Sequence, residues 1–258
     1  KNDITVLSGI RADEIDRTAG YVRADVKRID YDHLILAMGT RNIRPPIAGV
    51  EHARDLRTLA DATQLRLALE EPRRCAVIGA GFIGLEFAAV ARALGHDVTV
   101  AEAAPRPMAR AISAQMSQRF TDLHEEMGTR LCFDQPVTGV DADGIHLPSG
   151  EKVAADLILL AAGVHPNVEL AESAGLPCDN GIVVDAQLLT SDPAVSALGD
   201  CAAFPDPRTG RQIRLESVQA ACDHARNIAK RLAKGDADSY NSVPWFWSDQ
   251  SDYKLQIA

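Results

Sequence analysis

A layered α/β protein is what this sequence predicts, and three observations carry the prediction. Short apolar runs of strand character end in glycine, as in "LILAMG" (34–39) and "ADLILLAAG" (155–163). They alternate with segments whose apolar residues recur at helical spacing, as in "VQAACDHARNIAKRLA" (218–233), apolar at 218, 221, 222, 225, 228, 229 and 232. Between them "CAVIGAGFIGLEFAAVARALGHDVTVAE" (75–102) reads as strand, glycine turn, helix and strand, with Gly95 closing the helix. Strands that alternate with helices imply parallel pairing, since each return to the sheet needs a crossover.

In chain order, residues 4–37 predict short strands separated by turns, starting with "ITVL" (4–7), and the run 31–40 predicts a buried strand leading into Gly39. "DATQLRLALEE" (61–71) predicts a helix, and Pro72 opens a new unit. A further helix is expected over 113–127, then short alternating segments over 130–153 turned by Asp143-Gly144 and Ser149-Gly150. "GIVVDAQLLTSDPAVSALGD" (181–200) predicts two more strands before the helix at 218–233. "VPWFWSDQ" (243–250) holds both tryptophans and reads as too short and too polar for an ordinary strand core. The start on Lys1 and the apolar close "LQIA" (255–258) read as the ends of a piece of something longer.

The 258 residues suit one large domain or two joined ones, and 46% hydrophobic with 24% charged residues is a globular mix. A net charge of −9 argues against nucleic acid as a partner. The longest apolar stretch, 157–164, falls well short of the roughly 20 residues that span a bilayer, so no membrane segment is expected. Basic residues gather in "RPMAR" (106–110) and "RTGRQIR" (208–214), either as solvated loops or as docking points for a small anion or acidic partner. Five cysteines, at 75, 132, 178, 201 and 222, lack C-x-x-C or metal-ligand spacing, so no metal is expected and a reducing, cytoplasmic setting fits.

The chemistry lies in "GAGFIG". Gly79, Gly81 and Gly84 follow a β-like run and open a helix, the context that makes this spacing a Rossmann-like dinucleotide fingerprint, with Phe82 and Ile83 inside the turn. Gly79 makes the tight turn, Gly81 admits pyrophosphate to the backbone, and Gly84 lets helix and sheet close up, with the phosphates on the helix N-terminus. Glu102, at the end of the next strand, is placed to accept ribose hydroxyls and repel a 2′-phosphate, which favours NAD over NADP. Arg106 and Arg110 follow closely enough either to fold back to a phosphate or to face solvent. Glu86, one turn past the glycines, could face solvent or the nicotinamide end. No catalytic dyad or acid–base residue stands out. His33, His96, His124 and His224 read as surface or satisfied side chains, so the hydride is expected to pass to another cofactor.

"LILAMGTRNIRPPIAGV" (34–50), "GAGFIGLE" (79–86), "VTVAEAAPRPMAR" (98–110), "LTSDPAVSALGDCA" (189–202), "RLESVQAA" (214–221) and "VPWFWSDQ…LQIA" resemble, in that order, FAD-dependent NADH:ferredoxin reductases of the putidaredoxin, rubredoxin and biphenyl-dioxygenase type, relatives of apoptosis-inducing factor. The resemblance implies a nested fold in which a Rossmann-like NADH domain is inserted in an FAD domain. It implies that Gly39 lies near the flavin, in "AMG" where the family usually has A-T-G, and that Asp200 binds the ribityl chain. Glu86 and Glu216 would stand near the nicotinamide, Gly163 beside the dinucleotide, and Trp247 against the isoalloxazine, nearer than Trp245. Arg110 joins the expected cofactor-binding set.

On that resemblance residues 1–71 are part of an FAD-binding domain, 72–186 the NADH-binding domain and 187–258 the returning FAD segment. The first FAD pyrophosphate turn and a C-terminal domain are expected to lie outside the sequence. The implied activity carries a hydride from NADH to FAD and then electrons to a ferredoxin or rubredoxin. Two alternatives stand beside it: an NADH-dependent disulfide reductase of the same fold, and a redox-responsive NADH-binding protein.

Overall fold

The computed structural model describes residues 3–235 and 238–258. The chain forms two compact units, one of Lys1–Thr40, His165–Phe246 and Ile257–Ala258, the other of Arg41–Val164 and Trp247–Gln256. The chain changes unit at 40/41 and 164/165, where the sequence reading sets functional boundaries at 71/72 and 186/187.

The second unit is built on a four-stranded parallel sheet in the order Leu157–Leu160, Arg74–Ile78, Asp97–Ala101, Arg130–Cys132. The neighbouring strands Arg74–Ile78 and Leu157–Leu160 are apolar on both faces, as a covered parallel sheet requires: Cys75 to Ile78 and Leu157 to Leu160 are all buried. One face, through Ala76, Ile78, Ile158 and Leu160, packs with Val140, Ile145 and Val153 of a small antiparallel sheet formed by Gly139–Asp141, Gly144–His146 and Lys152–Ala154. The helix Phe82–Ala93 links Arg74–Ile78 to Asp97–Ala101. Its buried Leu85, Ala88 and Ala89 are the apolar run of "GLEFAAV". The chain moves outward from Arg74–Ile78 through two strands and later returns to that strand's other side with Leu157–Leu160. That reversal makes a crevice at the carboxyl ends of the two strands, which end at Ile78 and Leu160, the place where open α/β sheets bind ligands.

The other unit contains the antiparallel meander Ala12–Asp16, Tyr21–Ala24 and Lys27–Asp30. It also holds the parallel pair Leu34–Leu36 with Val195–Ala197, and the strands Ile182–Val183, Ala202–Pro205 and Gln212–Ile213. Its core joins Ile15, Leu36, Ile182, Leu188, Val195, Phe204, Ile228 and Tyr240. The helix Val218–Lys234 closes on Gly235, in left-handed backbone at φ 67°.

Three expectations need correction. "ITVL" forms no strand: Ile4 and Val6 are 75% and 79% exposed, because apolar character alone does not supply a neighbouring strand. The long strand expected over 31–40 is shorter, Leu34–Leu36, and Gly39, at φ 61°, lies beyond its end. The polar-looking "FWSDQ" is a strand, Phe246–Gln250, hairpinned to Tyr253–Ile257, and its Ser248 and Gln250 are each 0% exposed.

Candidate functional site

The three glycines of the turn have three different neighbourhoods. Gly79 sits at φ 109°, and a Cβ there would overlap the Ala161 carbonyl, at the end of the adjacent strand. A Cβ on Gly84 would overlap the Gly79 carbonyl oxygen and stand 3.2 Å from Val77 Cγ1 and 3.3 Å from Ala161 Cβ, so this glycine sets how closely helix and sheet pack. Gly81 is otherwise unconstrained: its φ of −80° suits any residue, and a Cβ would meet nothing within 4 Å. Space in front of backbone is what a pyrophosphate needs.

The helix ends agree. Thr58, Ser113 and Ser217 cap their helices through a side-chain oxygen that accepts from Asp61, Met116 and Ala220 backbone N–H groups. Phe82–Ala93 starts at Gly81 with no side-chain cap. Its first amides and the positive end of its dipole therefore lie where an anion can serve as the cap.

Glu102 is held against this turn. Its Oε2 accepts the Ala80 N–H at 2.6 Å and its Oε1 the Ala104 N–H at 2.8 Å. Each carboxylate oxygen retains further lone-pair capacity for a ribose hydroxyl. Arg106 is turned away from any such ligand: it donates to the Ile112 and Ala109 carbonyls at 2.9 and 2.8 Å and to Ser117 Oγ at 2.6 Å, tying the following loop. Arg110 is exposed, and its Nη2 would lie 3.6 Å from a Cβ on Gly163. Gly163, at φ 98°, leaves the strand beside the one that leads into Gly79. The structure thus gathers Gly79, Gly81, Phe82, Ile83, Gly84, Glu102 and Gly163 at the crevice, with Arg110 at its rim.

Glu86 is half-buried and does not simply face solvent. Its Oε1 accepts from Ser248 Oγ at 2.6 Å. Trp247, between buried Ser248 and partly buried Phe246, projects to the opposite face of its strand and is 38% exposed.

In the first unit, Asp200 lies in the 3₁₀ turn Gly199–Cys201, where its Oδ2 accepts from buried Thr40 Oγ1 at 3.4 Å. Glu216 is exposed and pairs with Arg214 at 2.7 Å. Arg214, with a side chain only 8% exposed, also donates to the Asp200 carbonyl at 3.0 Å, so it braces both acids from within. Sequence reasoning missed this residue by counting it in a basic surface run. His224, fully buried, accepts the Gly199 N–H at Nδ1, 3.1 Å away, next to Asp200. Among the described residues no group of acids, histidines and cysteines is arranged to hold a metal, and no helix is long and apolar enough to cross a membrane.

The comparisons with known proteins follow the same line. Rhodocoxin reductase of Rhodococcus erythropolis is 47% identical across 99% of this chain and 61% of its own length. The ferredoxin reductase for the CYP199A2 system from Rhodopseudomonas palustris superposes with a TM-score of 0.93 at 45% identity, covering 96% of this chain and 63% of that one. A covalent putidaredoxin reductase–putidaredoxin complex gives 0.92 at 37% identity, covering 96% and 62%. The chain spans about three fifths of the length of these relatives. The sequence pattern of the pyridine nucleotide-disulphide oxidoreductases matches residues 1–225, which include the glycine turn, Glu102, Gly163 and Asp200, and the chain belongs to that family.

Proposed function

We propose that this chain forms the NADH-binding part, and a share of the FAD-binding part, of a reductase that passes a hydride from NADH to FAD and electrons onward to a ferredoxin or rubredoxin. The observation that carries this reading is the open Gly81 turn braced by Glu102, in a chain whose relatives are named as reductases of such electron carriers. FAD, when bound, converts one two-electron delivery into two single-electron departures. The chain's own residues bind and orient. Gly79, Gly81 and Gly84, with Phe82 and Ile83, shape the turn and helix N-terminus that receive the NADH pyrophosphate. Glu102 takes the adenosine ribose, and Gly163 and Arg110 border the bound dinucleotide. Glu86 and Glu216 serve the nicotinamide, Gly39 and Asp200 the flavin, and Trp247 offers an aromatic face to the flavin ring. In functional terms 1–71 and 187–258 serve FAD and 72–186 serves NADH.

The described cysteines do not favour the disulfide-reductase alternative. All five are free, and burial pushes the Cys75 and Cys178 thiols up to about 11, away from the thiolate that exchange chemistry requires. Free thiols also suit a reducing cytoplasm as the working compartment.

Steady-state turnover of the full-length protein with NADH and a ferredoxin tests the reading; NADH binding without turnover would leave the redox-responsive binding protein in its place. Cofactor choice supplies a second test. The protein is expected to bind NADH at least about tenfold better than NADPH, about 1.4 kcal/mol, with Glu102→Ala narrowing the gap in titrations of both. Equal affinity in the unmutated protein would remove Glu102 from the role. For Trp247→Ala, loss of stacking worth roughly 0.5–1.5 kcal/mol is expected to slow flavin reoxidation by ferredoxin more than flavin reduction by NADH. Stopped-flow separates the phases, and a collapse of reduction alone would place Trp247 on the nicotinamide side.

A further inference from the structure

A buried row of polar side chains leads from the glycine-turn helix into the body of the second unit. Ser248 Oγ lies 2.6 Å from Glu86 Oε1, and Gln250 Nε2 lies 3.1 Å from Ser248 Oγ. Gln250 Oε1 lies 2.9 Å from His124 Nε2. Ser248, Gln250 and His124 are each 0% exposed. Three buried polar residues in sequence are costly unless every link is made, and a core of the same volume built from apolar residues would be cheaper.

The direction of the row follows from its carboxylate end. Ser248 Oγ donates to Glu86 Oε1 and takes its own hydrogen bond from the Gln250 amide N–H. That turns the Gln250 carbonyl toward His124, which must then carry its proton on Nε2. His124 Nδ1 has no partner, consistent with an unprotonated nitrogen there, and burial pushes the imidazole toward its neutral form. Every donor in the row points toward Glu86, and one carboxylate oxygen is pinned.

We infer that Ser248 and Gln250 are positioning residues for the nicotinamide half of the dinucleotide, acting through Glu86. Held at Oε1, the carboxylate keeps one orientation and presents Oε2 to the nicotinamide carboxamide, whose N–H groups are donors of matching kind. The alternation of strand Phe246–Gln250 places these two residues on one face while Trp247 takes the other, so a single strand orders two different groups. This inference rests on the proposed role of the site as an NADH site.

ADP-ribose, which has the adenosine and pyrophosphate of NADH but no nicotinamide, provides the test. Calorimetric titration of the full-length protein with NADH and with ADP-ribose is expected to show Ser248→Ala weakening NADH about tenfold, as expected for a lost hydrogen bond to a charged group, with ADP-ribose unchanged. Gln250→Met, which fills the space next to Met108 but cannot donate to Ser248, should produce a smaller loss, again confined to NADH. Ser248→Thr, which keeps the hydroxyl, should restore NADH affinity. Equal weakening of both ligands in Ser248→Ala and Gln250→Met would reduce the row to scaffolding, and no change in either would remove it from binding; both overturn the inference. Failure of the unmutated protein to bind either ligand would instead overturn the functional reading, and this inference with it.

Discussion

Replacing Gly84 with alanine is expected to destabilise the protein by roughly 3 kcal/mol or more, and replacing Gly81 with alanine to leave stability within about 0.5 kcal/mol while weakening NADH at least about tenfold. The contrast follows from what each new methyl group meets. At Gly84 it overlaps the Gly79 carbonyl and crowds Val77 and Ala161, all rigid parts of the packed sheet and turn. Gly79→Ala belongs with Gly84→Ala, since it combines left-handed backbone at φ 109° with overlap on Ala161. At Gly81 the backbone is ordinary and the surroundings empty, so the methyl would obstruct only a ligand. Denaturant unfolding and NADH titration on the three variants decide the matter. A Gly81→Ala protein that is destabilised but binds normally would mean that this glycine serves the fold alone.

Acid should act through His224. The ring is edge-on to Phe204 at 4.8 Å and to Tyr240 at 4.5 Å, and its Nδ1 accepts from Gly199 N–H. Burial lowers its pKa from 6.5 to about 4. A folded-state value below the unfolded one means that the fold favours the neutral ring. The resulting stability is full above about pH 6.5 and is lost as pH falls through about 4, reaching roughly 3 kcal/mol once the ring is charged. The charged ring must also give up the Gly199 N–H, since both nitrogens then donate, and Asp200 is the next residue. On the proposal that Asp200 serves the flavin, flavin retention is expected to fall as pH drops through about 4. His224→Gln keeps an acceptor but does not titrate; its unfolding free energy should fall less steeply between pH 6.5 and 4.5, above the range where the carboxylates protonate. Parallel slopes for the two proteins would sink this account.

What could be read in the sequence was whatever depends on neighbours along the chain. The helices Phe82–Ala93, Ala114–Glu126 and Val218–Lys234 follow their apolar spacing, and the glycine turn and Glu102 follow a fixed offset from one strand to the next. Contacts made across long stretches of chain left no such mark. Arg106 and Arg214 count as surface charge until their carbonyl partners are seen. Ser248 and Gln250 read as polar, hence exposed, because their partners Glu86 and His124 lie more than a hundred residues away. The capping box of Thr58 and Asp61 was legible and would have moved the helix start from 61 to the observed Leu59.

The hairpin also bears on how this unit can be inherited or grafted. Arg41–Val164 contains the parallel sheet, the glycine turn and Glu102, yet Trp247–Gln256 belongs to the same compact unit and arrives from the far end of the chain. Cutting out the continuous stretch alone would strip Glu86 of the Ser248 donor, strand the His124 proton without Gln250, and remove buried Leu255. Recombination that moves the nucleotide-binding unit into a new host must therefore carry two separate segments. The strand parity of the second must survive the transfer, since a single residue inserted ahead of Trp247 would turn Trp247 inward and the serine out.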